Sequence, residues 1–537
     1  MKENRKSFLP LIMAICVVLG VLIGVFYTSH FSGNRLNIIN ASSNKLNNLL
    51  HVIDDQYVDT VNLNDLVEAS IPEILANLDP HSTYVSAEEL STGDELKGSF
   101  SGVGISFVIR DDTLHVQNVI ANGPAEKAGI VAGDKIVMVD GKPFTGDDCT
   151  NEEAMRRLKG PKGSKVRLGI LHYRSKKVEN YVVTRDDIVQ KSINVAYMID
   201  SHTGYVRIKN FGETTYAEML VALAKLSTEG VDNLIIDLRD NTGGYLGSAV
   251  QIVNEFLPKN RLIVYTEGRK SPREEYRSDG RGSYQTIPLV VLINDVSASA
   301  SEIFAGAIQD NDRGTVIGRR SFGKGLVQQP IKFNDGSEVR LTIARYYTPS
   351  GRCIQKPYTK GDEDAYEQDL IDRYRNGEYF SRDSIKNDGP AYKTLIGRTV
   401  YGGGGITPDI FVAEDTSCVT PYYTEAIYSG VIFTFAYNYV DDNRQRLDHF
   451  SDITQLASYL RRQGIVERFA TYADANGLKR RNLMIRRSYP LLENMLISRI
   501  IYNKMDEEAL CRYNNTNDKV VDAAKKVFLS GKAFPKK

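Results

Sequence analysis

The chain carries 537 residues, 42% of them apolar and 25% charged, with 67 Lys and Arg set against 67 Asp and Glu. That length suggests roughly three or four domains with ordinary cores, and the balanced charge excludes a global field of the kind that draws proteins onto nucleic acid. The five cysteines, Cys16, Cys149, Cys353, Cys418 and Cys511, are scattered and lack metal-ligand spacing. Neither a disulfide framework nor a metal or cofactor site is expected from them, although one bridge between Cys353 and Cys418 stays open.

Lys2, Arg5 and Lys6 precede an uncharged run over residues 8–27. At about 1.5 Å per residue such a run can cross a ~30 Å hydrocarbon layer. No small-x-small pattern closes it, so an uncleaved membrane anchor over residues 1–30 is favoured over a removed signal peptide. The basic residues at its start place the N-terminus inside and the bulk of the chain outside the cytoplasm. Residues 31–95 read as a helical segment: Leu46, Leu49, Leu50 and Ile53, then Leu66, Ile71, Ile74 and Leu75, fall near helical spacing, with Pro72 expected to interrupt or restart the second helix.

Residues 96–187 change to short β-rich runs at 104–109, 114–116, 135–139 and 166–170, punctuated by turns such as Asp140-Gly141 and by a helix over 151–158. From 188 to 415 strands and helices alternate, which predicts an α/β core. A hairpin over 326–347 turns at Asp335-Gly336. The charged stretch over 360–388 reads as a surface insertion without recognisable chemistry. Residues 416–537 return to helical periodicity, with Leu456, Tyr459, Leu460, Leu491, Leu492, Met495 and Leu496 as buried faces. No function is legible in that last region.

Three segments of the α/β part carry chemistry. Asp237-Leu238-Arg239-Asp240-Asn241-Thr242-Gly243-Gly244 runs from a buried strand into two glycines, where backbone NH groups can approach an oxyanion, although a plain turn explains such a pair as well. Ser297-Ala298-Ser299-Ala300-Ser301-Glu302 stands where a strand becomes a helix, so the Ala300 amide and the helix dipole would stabilise developing negative charge beside Ser299. Each serine there, taken singly, is as readily an N-cap. Ser321-Phe322-Gly323-Lys324-Gly325-Leu326-Val327-Gln328 supplies a lysine with apolar neighbours and, four positions on, a glutamine able to orient the amine. No histidine lies between His202 and His449, which points to lysine rather than imidazole as the base for a serine nucleophile.

Taken together these segments are similar, in sequence and order, to the carboxyl-terminal processing peptidases, also called tail-specific proteases. The resemblance covers most of residues 75–410. It opens with Leu78-Asp79-Pro80-His81-Ser82-Thr83-Tyr84 and closes with Gly405-Ile406-Thr407-Pro408-Asp409. Between them, Gly102-Val103-Gly104-Ile105, Gly123-Pro124-Ala125-Glu126-Lys127-Ala128-Gly129-Ile130 and Gly133-Asp134-Lys135-Ile136 resemble a PDZ domain. The resemblance implies a multidomain α/β protein, with a crotonase-like catalytic core, an inserted PDZ domain, an N-terminal helical segment and a C-terminal helical region. It also implies Ser299 as nucleophile, Lys324 as base, Gln328 as its support, and an oxyanion hole from Gly243 or Gly244 with Ala300. Gly102, Val103, Gly104 and Ile105 would receive a peptide's terminal carboxylate.

The function expected is that of a serine endopeptidase that captures protein C-terminal tails through its PDZ domain and cleaves by a Ser-Lys mechanism. The other class carried forward is a catalytically inactive PDZ scaffold. The anchor and the resemblance together place the protein in a bacterial cell envelope, tethered to the inner membrane with its catalytic part in the periplasm. Its expected partners are peptide or protein tails and the membrane, not nucleic acid; a homo-oligomer is compatible with the sequence, which sets no oligomeric state.

Overall fold

The computed structural model describes residues 18–21, 41–91, 95–110, 112–120, 122–172 and 177–536. The expected anchor over residues 8–27 lies outside the described residues apart from 18–21. Among the described residues no helix is long and apolar enough to cross a membrane. The chain divides into two compact units, residues 1–74 and 75–537. The first contains the helix Ala41–Gln56 and most of the helix Leu63–Ala76. Pro72 sits inside the second helix rather than interrupting it. A proline there forgoes one i→i−4 hydrogen bond, and the helix runs on for another turn despite the loss.

The second unit is built on a six-stranded sheet. Its strands lie in the order Val195–Met198, Thr203–Arg207, Asn233–Asp237, Leu289–Ile293, Thr315–Gly318 and Ile410–Phe411; the first pair is antiparallel and the others run parallel. Every residue of Leu289–Ile293 is buried, as a parallel strand covered on both faces requires. One face packs against the helices Thr215–Thr228, Leu246–Asn254 and Ala300–Asp310 through residues such as Met219, Ile252, Phe304 and Val291. The other face, through Ile235, Val290, Leu292 and Ile317, is covered by Val520, Val521, Ala524 and Val527 of the helix Lys519–Leu529. The end of the C-terminal region thus covers the second face of the α/β sheet, a role the sequence did not disclose.

A second sheet joins Thr83–Val85, Glu338–Tyr347, Leu262–Glu267 and Glu274–Arg277, with Leu326–Lys332 pairing antiparallel to Glu338–Tyr347. That pair is the expected hairpin; Asp335 Oδ1 accepts from Ser337 N (2.9 Å) beside Gly336 at φ 95. The β-rich module has five main strands, Ile105–Arg110, Thr113–Val119, Lys135–Val139, Lys165–Leu171 and Val178–Thr184, around a core that includes Leu114, Ile136, Phe144 and Leu168. Ser99–Gly102 pairs with Asp186–Val189, so the chain enters and leaves this module on adjacent strands. The helices between Pro421 and Asn514 enclose their own core, which includes Tyr422, Leu456, Phe469 and Leu496. They also touch the module: Gln117 Nε2 donates to Asn503 Oδ1 at 2.7 Å. All four described cysteines are free, so the bridge between Cys353 and Cys418 is not formed.

Candidate active site

The strand Asn233–Asp237 ends on a buried carboxylate. Asp237 Oδ2 accepts from Tyr205 OH (2.6 Å) and Arg239 Nη2 (2.6 Å), and the guanidinium reaches on to Asp518 Oδ2 (2.6 Å). Burial works against the Asp237 charge, and Arg239 overcomes it, holding the carboxyl below its ordinary range. The chain then turns through Asn241, which is fully buried. Its Nδ2 donates to Ile208 O (2.9 Å) and its Oδ1 accepts from Gly243 N (2.8 Å). Its own carbonyl accepts from Ala298 N (3.0 Å) and Ser301 Oγ (2.9 Å). Asn241 therefore joins the Gly-Gly turn to the serine segment. Of the two glycine amides, Gly243's is committed to Asn241, while Gly244's meets no acceptor among the described residues.

The three serines separate cleanly. Ser297 Oγ donates to Leu238 O (2.7 Å) and Ser301 Oγ to Asn241 O, so both tie strand ends together. The Ser299 hydroxyl is donated to no protein acceptor among the described residues. Ser299 is the N-cap of the helix Ala300–Asp310, at φ 54 and ψ −116, a backbone region that non-glycine residues rarely occupy. The Ala300 amide, first in that helix, stands outside the i→i−4 ladder.

Glu302, fully buried one turn into the helix, gathers the parts. Its Oε2 accepts from Ser299 N (2.9 Å) and Lys324 N (2.8 Å); its Oε1 accepts from Ser321 Oγ (2.5 Å) and Gly323 N (2.8 Å). Burial pushes this carboxyl up to about 7, against the pull of those donors. Tyr346 OH adds a second clasp, lying 3.1 Å from Ser299 O and 2.5 Å from Lys324 O. Glu302, Asn241 and Tyr346 were not singled out from the sequence. Glu302 sits within the quoted serine motif and Asn241 within the quoted glycine motif, whereas nothing local marks Tyr346.

Lys324 is largely buried and forms no ion pair among the described residues. Its Nζ donates to Gln328 Oε1 at 3.1 Å. Desolvation lowers its pKa below the ordinary lysine range, opposed by the more distant charges of Asp79 and Glu302. Lys356, the other buried lysine nearby, differs: its Nζ pairs with Asp369 Oδ2 (3.2 Å) and donates to Tyr366 O (2.8 Å). A bulge between Val327 and Gln328 turns the glutamine toward the lysine, and its Nε2 donates to the carbonyl of His81. The structure thus brings Ser299, Lys324, Gln328 and the glycine turn into one site. Ser299 Oγ and Lys324 Nζ are not hydrogen-bonded to each other.

A histidine does stand beside this site, although none lies in the sequence between His202 and His449. His81 is held by Asp79, whose Oδ1 accepts from the His81 amide (3.0 Å) and whose Oδ2 accepts from Ser82 Oγ (2.6 Å). Its Nε2 meets Tyr366 OH at 2.9 Å. Burial, with Lys324 close by, lowers its pKa to about 4, so the ring is neutral.

In the β-rich module, Gly102 closes a strand and Ile105 opens the next, with Val103 and Gly104 forming the turn between them at φ 78 for Gly104. The carbonyls of Val103 and Gly104 accept from Ala125 N (2.9 Å) and Ile120 N (3.0 Å), while their amides find no acceptor among the described residues.

Residues 202–365 match peptidase family S41, residues 94–171 match the PDZ domain, and residues 422–506 match a family of unknown function, DUF8443. The carboxy-terminal-processing protease of Bartonella bacilliformis is 38% identical over 327 residues, spanning 60% of this chain and 74% of its own. The carboxyl-terminal-processing protease of Synechocystis is 37% identical over 310 residues, spanning 56% and 71%. The carboxy-terminal processing protease CtpA of Bacillus subtilis is 31% identical over 392 residues, spanning 72% and 82%. On that identity and coverage, and with the catalytic and PDZ modules both present, the chain belongs to the carboxyl-terminal processing proteases, serine peptidases of family S41.

Proposed function

We propose that this peptidase cleaves proteins by attack of Ser299 on the scissile carbonyl, with Lys324 as base, after its PDZ domain has captured the substrate's C-terminal tail. The observation that carries the assignment is the shared carboxylate: Glu302 Oε2 holds the amides of Ser299 and Lys324 at 2.9 and 2.8 Å, so the two side chains start from fixed, adjacent backbone positions. The Ser299 proton passes to the neutral Lys324 amine as Oγ bonds to the carbonyl carbon. The resulting oxyanion is received by the amides of Gly244 and Ala300, and Lys324 returns the proton to the leaving nitrogen as the peptide C–N bond breaks. Water then hydrolyses the acyl-enzyme by the same exchange. For the first step the amine leaves Gln328 Oε1 and turns to Ser299 Oγ by rotation of the lysine side chain on its fixed backbone; catalytic hydrogen bonds often close only around substrate.

The open amides of Val103 and Gly104 support carboxylate capture at the PDZ turn, with Gly102 and Ile105 framing it and the peptide adding as a strand. The uncharged run over residues 8–27 supports tethering to the inner membrane of a bacterial envelope, with the catalytic part in the periplasm. Mass spectrometry of products from an unstructured protein with an apolar C-terminus tests the assignment. Ser299→Ala and Lys324→Ala should each abolish cleavage and leave tail binding intact, and a Lys324→Ala enzyme of normal rate would remove lysine from the mechanism.

A further inference from the structure

The charged segment over residues 360–388, which reads from sequence as an inert insertion, packs directly behind the lysine loop. Its helix Glu363–Arg375 begins at Asp362, whose side chain accepts from Ala365 N (3.0 Å). Tyr366 and Arg373, seven residues or two turns apart, share its inward face and are both buried. Arg373 Nη1 donates to Ser321 O (2.8 Å) and Nη2 to Phe322 O (3.1 Å), the two carbonyls just ahead of Gly323 and Lys324. The Tyr366 ring packs edge-on against Phe322, with centroids 5.9 Å apart.

The Tyr366 hydroxyl reaches Lys324 by two routes. Gln355 Nε2 donates to it (3.2 Å) while Gln355 Oε1 accepts from Gly325 N (2.8 Å), immediately after the lysine. On its other side the hydroxyl lies 2.9 Å from His81 Nε2. The sense of that contact follows the tautomer of the neutral imidazole: with the ring proton on Nδ1 the phenol donates to Nε2, and with it on Nε2 the phenol oxygen accepts there as it does from Gln355. The His81 carbonyl in turn accepts from Gln328 Nε2, whose Oε1 holds the lysine amine. Each link is buried or half-buried, where an unmade hydrogen bond is costly and the chain is correspondingly stiff.

We propose that Tyr366 is a positioning residue for the catalytic lysine, acting through His81 and Gln328 on the Lys324 amine and through Gln355 on its backbone. The proposal rests on Lys324 as base. It makes the insertion part of the catalytic apparatus, so a change at Tyr366 should act on turnover rather than on tail capture.

The test uses the full-length protein and steady-state cleavage of one unstructured substrate, with tail-peptide affinity and Tm measured in parallel. Tyr366→Phe removes one oxygen and keeps the ring on Phe322; kcat should fall about tenfold with KM and peptide affinity unchanged, as loss of alignment predicts. His81→Phe should lower kcat too, and the double variant should be no slower than Tyr366→Phe alone, because the histidine acts through the lost contact. An unchanged kcat for Tyr366→Phe, or a double variant slowed by the product of the single effects, would overturn the proposal. So would a His81→Phe enzyme as inactive as Lys324→Ala, which would make the imidazole itself the base. Should His81→Phe not fold, Tyr366→Phe decides alone. A Lys324→Ala enzyme of normal rate would instead defeat the assignment of the base, a result separable from any loss seen at Tyr366.

Discussion

A β-carbon built on Gly243 would lie 2.6 Å from Cβ of Ser299 and 3.0 Å from the Ala300 amide nitrogen. The glycine turn and the nucleophile are thus in bare backbone contact, at φ 109 for Gly243, where an L side chain is strained in any case. Gly243→Ala should therefore displace the serine or the turn. We expect kcat to drop about 100-fold or more, since a misplacement on the order of 1 Å costs that much, with tail-peptide binding by the PDZ domain unaffected. Parallel measurement of peptide affinity and kcat checks it; a fully active alanine variant would mean that the turn can retreat without cost.

Glu302 is surrounded only by donors: the amides of Ser299, Gly323 and Lys324, and the hydroxyl of Ser321. Glu302→Gln, nearly identical in shape, would turn an NH2 toward two of them. Leaving buried donors unmet costs about 1–3 kcal/mol each, so the variant should lose roughly 2–6 kcal/mol of stability and most of its activity. Denaturant unfolding beside a cleavage assay gives both numbers. A variant as stable as wild type would show that the site relaxes around the amide.

The Lys324 amine gives a pH signature of definite sign. Burial lowers its pKa below the ordinary lysine value of 10.5, so the folded protein binds fewer protons than the unfolded chain between the two values. Stability therefore rises with pH across that window, and the full cost of burying the ammonium is present below the folded value. The acid limb of kcat/KM should report an ionisation below the ordinary lysine range, with activity rising as the proton leaves. Lys324→Met should be inactive yet about 1 kcal/mol more stable at neutral pH, because the buried charge is gone. A less stable methionine variant would contradict the desolvation account.

What could be read in advance follows the range over which residues act. Ser299, Lys324, Gln328 and the glycine pair lie in short motifs whose chemistry is local, and the alternation of a strand run over 289–293 with a helical run over 299–310 already marked an α/β core. Tyr346 carries no local sign, and Asn241 and His81 lie in quoted motifs where nothing marks what they hold. His81 acts on Gln328 across 247 positions of sequence, and Asn241 matters because two separate turns converge on its carbonyl. The insertion over 360–388 looked polar and inert because its charged residues outnumber the four that are buried, Tyr366, Arg373, Glu378 and Ile385. Pro72 misled in the opposite direction, since a rule about single residues was overridden by the helix around it.

The C-terminal region was also mute in sequence, and its last helix shows why. Helical periodicity says that one face is buried but not against what. Val521, fully buried on Lys519–Leu529, belongs to the cluster that covers Ile235, Val290 and Ile317 of the catalytic sheet. Asp518 caps that helix by accepting from Val520 N (2.8 Å) and also receives Arg239 Nη1, the residue that anchors Asp237 at the head of the glycine turn. Val521→Asp places an unpaired charge against an apolar sheet face, which should cost at least about 3 kcal/mol. If that helix is part of the catalytic fold, the loss must appear in the peptidase itself: lower Tm of the main transition, and activity that disappears at a correspondingly lower temperature. An enzyme whose catalytic transition is unmoved by Val521→Asp would show instead that the sheet's second face stands without this cover.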